Sequence, residues 1–137
     1  MRFISRTLLA LSCCCLAGLY GGTSASAEGF VPTISLKSGE SIDLMNVFFV
    51  VNCRSVLKAT PQVEILDGPP QVSAAVREGM VLPRIANCAK PVKGGTIVLT
   101  AGEVDDTSNT RLTLRIKYQG KDGDRQSTVV YNVALFP

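Results

Sequence analysis

The residues of this chain with the greatest chemical capacity are Cys53 and Cys88, which stand 35 positions apart. No C-x-x-C spacing accompanies them, and no neighbouring group marks either thiol as strongly activated, so the pair reads as a structural bridge and not as a redox couple. Closing a loop of that length stabilises a fold by about 4 kcal/mol in the chain-entropy model. The chain has no histidine. The usual general base, proton shuttle and commonest metal ligand are therefore missing, and Ser-His-Asp or Cys-His catalysis is excluded. Ser55-Val56-Leu57-Lys58 matches the S-x-x-K spacing in which a lysine activates a serine nucleophile. That chemistry needs a helix to bring the two side chains together, and no S-D-N or K-T-G segment completes the set; Lys93-Gly94-Gly95-Thr96 only approximates the latter.

Acidic residues gather at Glu103-Val104-Asp105-Asp106 and at Asp122-Gly123-Asp124. Neither group has the spacing of a calcium loop, and Asp and Gly are what tight turns select, so both read as solvated loops and no metal or cofactor is expected. Basic residues form two groups. Arg84, Lys90 and Lys93 lie in a stretch punctuated by Pro91 and Gly94, while Arg111, Arg115 and Lys117 alternate along an extended segment. If those segments pack side by side, the six make an interaction patch for an anionic partner, an envelope protein or a polysaccharide. Nucleic acid is not expected, because neither interleaved exposed aromatics nor basic Gly-rich repeats accompany the charges.

The elements that must position these groups are strands. Leu112, Leu114, Ile116 and Tyr118 alternate with Arg111, Thr113, Arg115 and Lys117, the period of a half-buried strand. Ser127–Phe136 repeats it with Val129, Tyr131, Val133 and Leu135, and the intervening residues predict a hairpin with its tip at Asp122-Gly123. Shorter runs at Thr33–Lys37, Met45–Val51, Gln62–Leu66, Val72–Arg77 and Gly95–Ala101 bring the expectation to about seven strands. Asp67-Gly68-Pro69-Pro70 is a turn, and Pro83 to Gly95 reads as an irregular crossing. Phe48 and Phe49 point to opposite faces, which suits a central strand, and Glu40 to Val51 has room for an opening turn of helix.

The N-terminus has a separate meaning. Arg2 and Arg6, an apolar stretch from Leu8 to about Tyr20, and Ala25-Ser26-Ala27 are the three parts of a cleavable secretory signal. Residues 1–27 are thus expected to be removed and residues 28–137 to form one domain in the periplasm or outside the cell. No transmembrane segment is expected in that domain. Lipid attachment at Cys13, Cys14 or Cys15 is the competing reading, but Ala25-Ser26-Ala27 is the better processing site. Cleavage takes away three of five cysteines and leaves a net charge of about +1 (14 − 2 − 11), too little for a broad steering field.

Over residues 30–136 the alternation, the tyrosine on the penultimate strand (Tyr118) and the long last strand resemble an immunoglobulin-like or fibronectin-III-like domain. The resemblance implies an all-β fold, an antiparallel two-sheet sandwich with one disulfide. It departs from the family in having no tryptophan and in placing Cys88 before the penultimate strand. The segments Val129–Pro137 and Asn87-Cys88-Ala89-Lys90-Pro91 are similar to small exported proteins of bacteria. The function expected is a non-enzymatic binding module. The alternatives are a small envelope hydrolase using carboxylates or Ser55 with Lys58, and a structural subunit of an envelope assembly.

Overall fold

A computed structural model describes residues 29–137. The predicted signal segment and Cys13–Cys15 lie outside the described residues. The fold is all-β, with nine strands: β1 (Thr33–Lys37), β2 (Ser41–Val47), β3 (Val50–Val51), β4 (Arg54–Ser55), β5 (Gln62–Asp67), β6 (Val72–Val81), β7 (Val92–Ala101), β8 (Ser108–Gly120) and β9 (Gly123–Phe136). They form three sheets, of order β1-β9-β8-β5, β2-β7-β6 and β3-β4. The expectation of about seven strands in two antiparallel sheets is corrected on two counts: a small ribbon forms a third sheet, and β1 runs parallel to β9.

The two long alternating segments are strands, and both run past the expected bounds: β8 covers Ser108–Gly120, and β9 starts at Gly123, four residues before Ser127. β8 and β9 pair along their whole length, so Leu112, Leu114 and Ile116 share an inner face with Val129, Val133 and Leu135. The turn lies one residue earlier than expected. Gly120 pairs with Gly123, so Lys121 and Asp122 form the tip and Gly123, at φ +127°, completes the reversal. Ile97, Leu99 and Ala101 of β7 and Val47 of β2 close the core from the three-stranded sheet, and Leu36 of β1 joins them, fully buried. Both larger sheets therefore share one apolar core, and among the described residues no polar or charged side chain is buried in it.

Three further expectations are corrected. Met45–Val51 is not one strand, because β2 begins at Ser41 and ends at Val47, and Phe48 and Phe49 leave the ladder half-buried between β2 and β3. A bulge at Leu44 shifts the phase of β2, which places both Ile42 and Met45 opposite inward residues of β7 and leaves no opening helical turn. The stretch from Pro83 to Gly95 does not cross between sheets. Val81 pairs with Val92, so residues 82–91 are the loop of a β6–β7 hairpin, with one turn of 3-10 helix at Arg84–Ala86, and Lys93 lies on β7.

Candidate functional site

Cys53 and Cys88 are bonded, with Cα atoms 5.4 Å apart. Each sits where the backbone is unusual. Asn52 and Cys53 form the two-residue turn of the β3–β4 ribbon, both with positive φ (50° and 59°), which is the signature of a type I′ turn. Asn87, immediately before Cys88, is also left-handed, at φ 54°, and its N–H donates to the Arg84 carbonyl at 3.0 Å. The bridge thus clamps the tip of the ribbon to the 3-10 turn of the β6–β7 loop. Ser55 Oγ secures the same junction by donating to the Lys93 carbonyl at 3.1 Å.

That junction collects charge and exposed apolar surface. Arg54 follows Cys53, Arg84 opens the 3-10 turn, Lys90 follows Cys88 by two residues, and Lys93 is paired with Met80 across the hairpin. All four are exposed, and none takes part in an ion pair among the described residues. Val51, Met80 and Ile85 are 51%, 62% and 93% exposed at the same end of the molecule. A groove of about 130 Å³ is lined by Lys58, Lys93 and Glu78 with Leu57, Ala59, Thr60 and Gly94.

The six predicted patch residues are not gathered on one surface. Arg84, Lys90 and Lys93 belong to the hairpin of the three-stranded sheet, whereas Arg111, Arg115 and Lys117 lie along β8 of the four-stranded sheet, on the face opposite Leu112, Leu114 and Ile116. Lys117 is engaged there: its Nζ is 3.0 Å from Glu64 Oε2, and the hydrogen bond it gives holds the Glu64 carboxyl below the usual range. On the other sheet Arg77 and Asp43 form an exposed pair. The hydrogen bond to Asp43 raises the already high Arg77 pKa. Sequence reasoning missed Arg54, Val51, Met80 and Ile85. Arg54 was open to inference from its place beside Cys53, but the others became exposed only through the course of the hairpin loop and ribbon.

The S-x-x-K match does not become a catalytic pair by local geometry. Ser55 is on β4, its hydroxyl spends its proton on a backbone carbonyl, and Lys58 lies at a bend beyond the strand, its N–H donating to the Gln119 carbonyl at 2.8 Å. Glu103, Asp105 and Asp106 are exposed in the β7–β8 connection and Asp122 and Asp124 at the β8–β9 tip. Among the described residues no three carboxylates or thiols gather closely enough to hold a metal ion, and no helix is long and apolar enough to cross a membrane. No protein-family model, curated protein or solved structure matches the chain.

Proposed function

We propose that the protein is an exported, non-enzymatic binding module of the periplasm or cell surface, an immunoglobulin-like domain that holds an anionic partner, protein or polysaccharide, at its disulfide-clamped end. The observation that carries this reading is the junction itself: a covalent clamp fixes Arg54, Arg84 and Lys90 around exposed Val51 and Ile85, without ion-pair partners among the described residues. Fixed cations around an apolar centre are the composition of a recognition surface, because charge directs the approach and apolar side chains supply contact area. Strand order supports the domain type. With the seven longer strands lettered in chain order, B-E-D form one sheet and C-F-G the other, as in immunoglobulin domains, with A beside G. The bonded cysteines are consistent with an oxidising compartment and so with export.

The test uses protein made from the full gene with its own leader and recovered from the periplasm, where an N-terminus at Glu28 is expected. Polygalacturonate serves as the anionic probe and neutral dextran as its control. Binding to the first and not the second is expected, weakening as salt screens the charges. Reversal of Arg54, Arg84 and Lys90 to Glu should abolish it, while Arg111→Glu, on the other sheet, should leave it intact. Equal binding by the triple variant and the parent protein would sink the proposal, as would no binding to the acidic polymer at low salt.

A further inference from the structure

β9 is the longest strand, Gly123–Phe136, and only its last part is covered on the side away from β8. β1 pairs with Asn132–Phe136 alone. The direction of the free backbone groups follows from one bond: the Asn132 N–H donates to the Pro32 carbonyl at 2.9 Å, toward the β1 side. Since successive residues of a strand turn their N–H and C=O groups to opposite sides, Val130, Thr128, Gln126 and Asp124 point theirs the same way. Among the described residues these groups have no backbone partner there.

Two of the other edges carry a device that β9 lacks: β2 has a bulge at Leu44, and β5 follows Pro61 and has a bulge between Ile65 and Asp67. Such devices discourage edge-to-edge pairing. Residues 123–131 contain no proline, and their ladder to β8 has no irregularity.

We infer that this open stretch pairs with the same stretch of a second copy, antiparallel about a two-fold axis at Gln126, to give one continuous sheet through both molecules. Antiparallel pairing requires residues of equal parity to face each other, and a centre at Gln126 meets that while stopping short of the segment occupied by β1. The charges complement one another. Asp124 of the second copy falls opposite Thr128, in the cross-strand row of Thr128, Arg115 and Glu64, and Arg115 makes no ion pair of its own. Next-nearest strands are about 10 Å apart, a span that an arginine and an aspartate side chain close between them. On the inner face Val129 of the second copy falls opposite Gly123, where a Cβ would meet nothing within 4 Å. An opening beside Gly123 is lined by Phe49, Val51 and Val56 together with Asp122, Asp124 and Arg125. The occupant therefore brings an apolar side chain to the open space at Gly123, near Phe49, Val51 and Val56, and a carboxylate toward Arg115.

The experiment uses the periplasmic protein in sedimentation velocity from about 1 to about 500 µM, with amide exchange followed residue by residue. A reversible dimer is expected. The amides of Asp124, Gln126 and Thr128 should exchange freely when dilute and become protected about tenfold or more as the dimer fills, while Arg125, Ser127 and Val129 stay protected throughout. Thr128→Pro removes an outward donor without touching the β8 ladder and should leave a folded monomer. Gln126→Lys sets two ammonium groups together at the axis and should weaken association about tenfold or more, with partial recovery in salt; it keeps the test sharp if the proline variant fails to fold. A monomer across the whole range overturns the inference, including one whose edge accepts a strand from another protein instead. So does protection of those three even-numbered amides in dilute monomer, or undiminished dimerisation of a folded Thr128→Pro protein.

Discussion

At the residue scale the chemistry of this chain is concentrated at Cys53, which does two things that ordinarily exclude each other. Its side chain makes the bridge, and its backbone occupies the second position of a type I′ turn, a place that favours glycine because a Cβ crowds the left-handed conformation. The bridge explains why a β-carbon is kept there. Two double variants separate the effects. Cys53→Ala with Cys88→Ala loses the cross-link and keeps the backbone cost; Cys53→Gly with Cys88→Ala loses the cross-link and relieves that cost. Urea unfolding should show both less stable than the bonded protein, by about 3–4 kcal/mol. The glycine version should be the better of the two by about 1 kcal/mol, since its conformational relief exceeds the added freedom of its unfolded chain. An alanine version as stable as the glycine version would mean that φ at position 53 is not positive in solution.

At the scale of elements, β7 shows how glycine in a strand can be mistaken for punctuation. Lys93-Gly94-Gly95-Thr96 has the composition of a turn, yet it continues β7 between β2 and β6. A Cβ on Gly95 would lie 2.5 Å from Val76 Cγ1 and 2.9 Å from the Arg77 carbonyl oxygen, and one on Gly94 would strike the Val47 carbonyl oxygen. Gly79, directly across the ladder from Gly94, faces open space. Gly95→Ala should therefore destabilise by about 1–3 kcal/mol, while Gly79→Ala should be neutral or slightly stabilising. Chemical denaturation of the two proteins side by side decides it, and equal midpoints would refute the close-approach reading. The same cause limits what was legible beforehand. β8 and β9 are readable where apolar residues alternate, at Leu112–Tyr118 and Val129–Leu135, whereas residues 123–126 of β9 carry no apolar side chain and the Leu44 bulge breaks the phase of β2 in mid-strand. The parallel placement of β1 and the separate ribbon depend on long-range partners that local pattern does not encode. The candidate surface was legible in part. Arg84, Lys90 and Lys93 were identified, but the ribbon's contribution through Arg54 and Val51 required knowing where the bridge draws its tip.

At the scale of the whole molecule, the two larger sheets are joined by apolar contact and by few polar links, so a single polar group spanning them has an identifiable effect. Tyr131 of β9 is such a group: half-buried, it places its hydroxyl 3.7 Å from Met45 Sδ on β2. Burial lifts its pKa above the ordinary value of 10.0. The sign of the consequence follows from linkage. Below pH 10 or so the phenol is protonated in both folded and unfolded chains, and its contribution to stability is fully present. As pH rises beyond that value the unfolded chain releases its proton first, which favours unfolding, and the contribution is lost as pH passes through the higher folded-state pKa. Replacement by phenylalanine removes the titrating group while keeping the ring in the shared core. Stability curves for the parent protein and Tyr131→Phe should run parallel from about pH 7 to pH 9 and then converge or cross as the parent falls more steeply. Groups common to the two proteins cancel in the difference. A constant gap up to about pH 11 would show that the Tyr131 hydroxyl is open to water, and hence that the two sheets do not close over it.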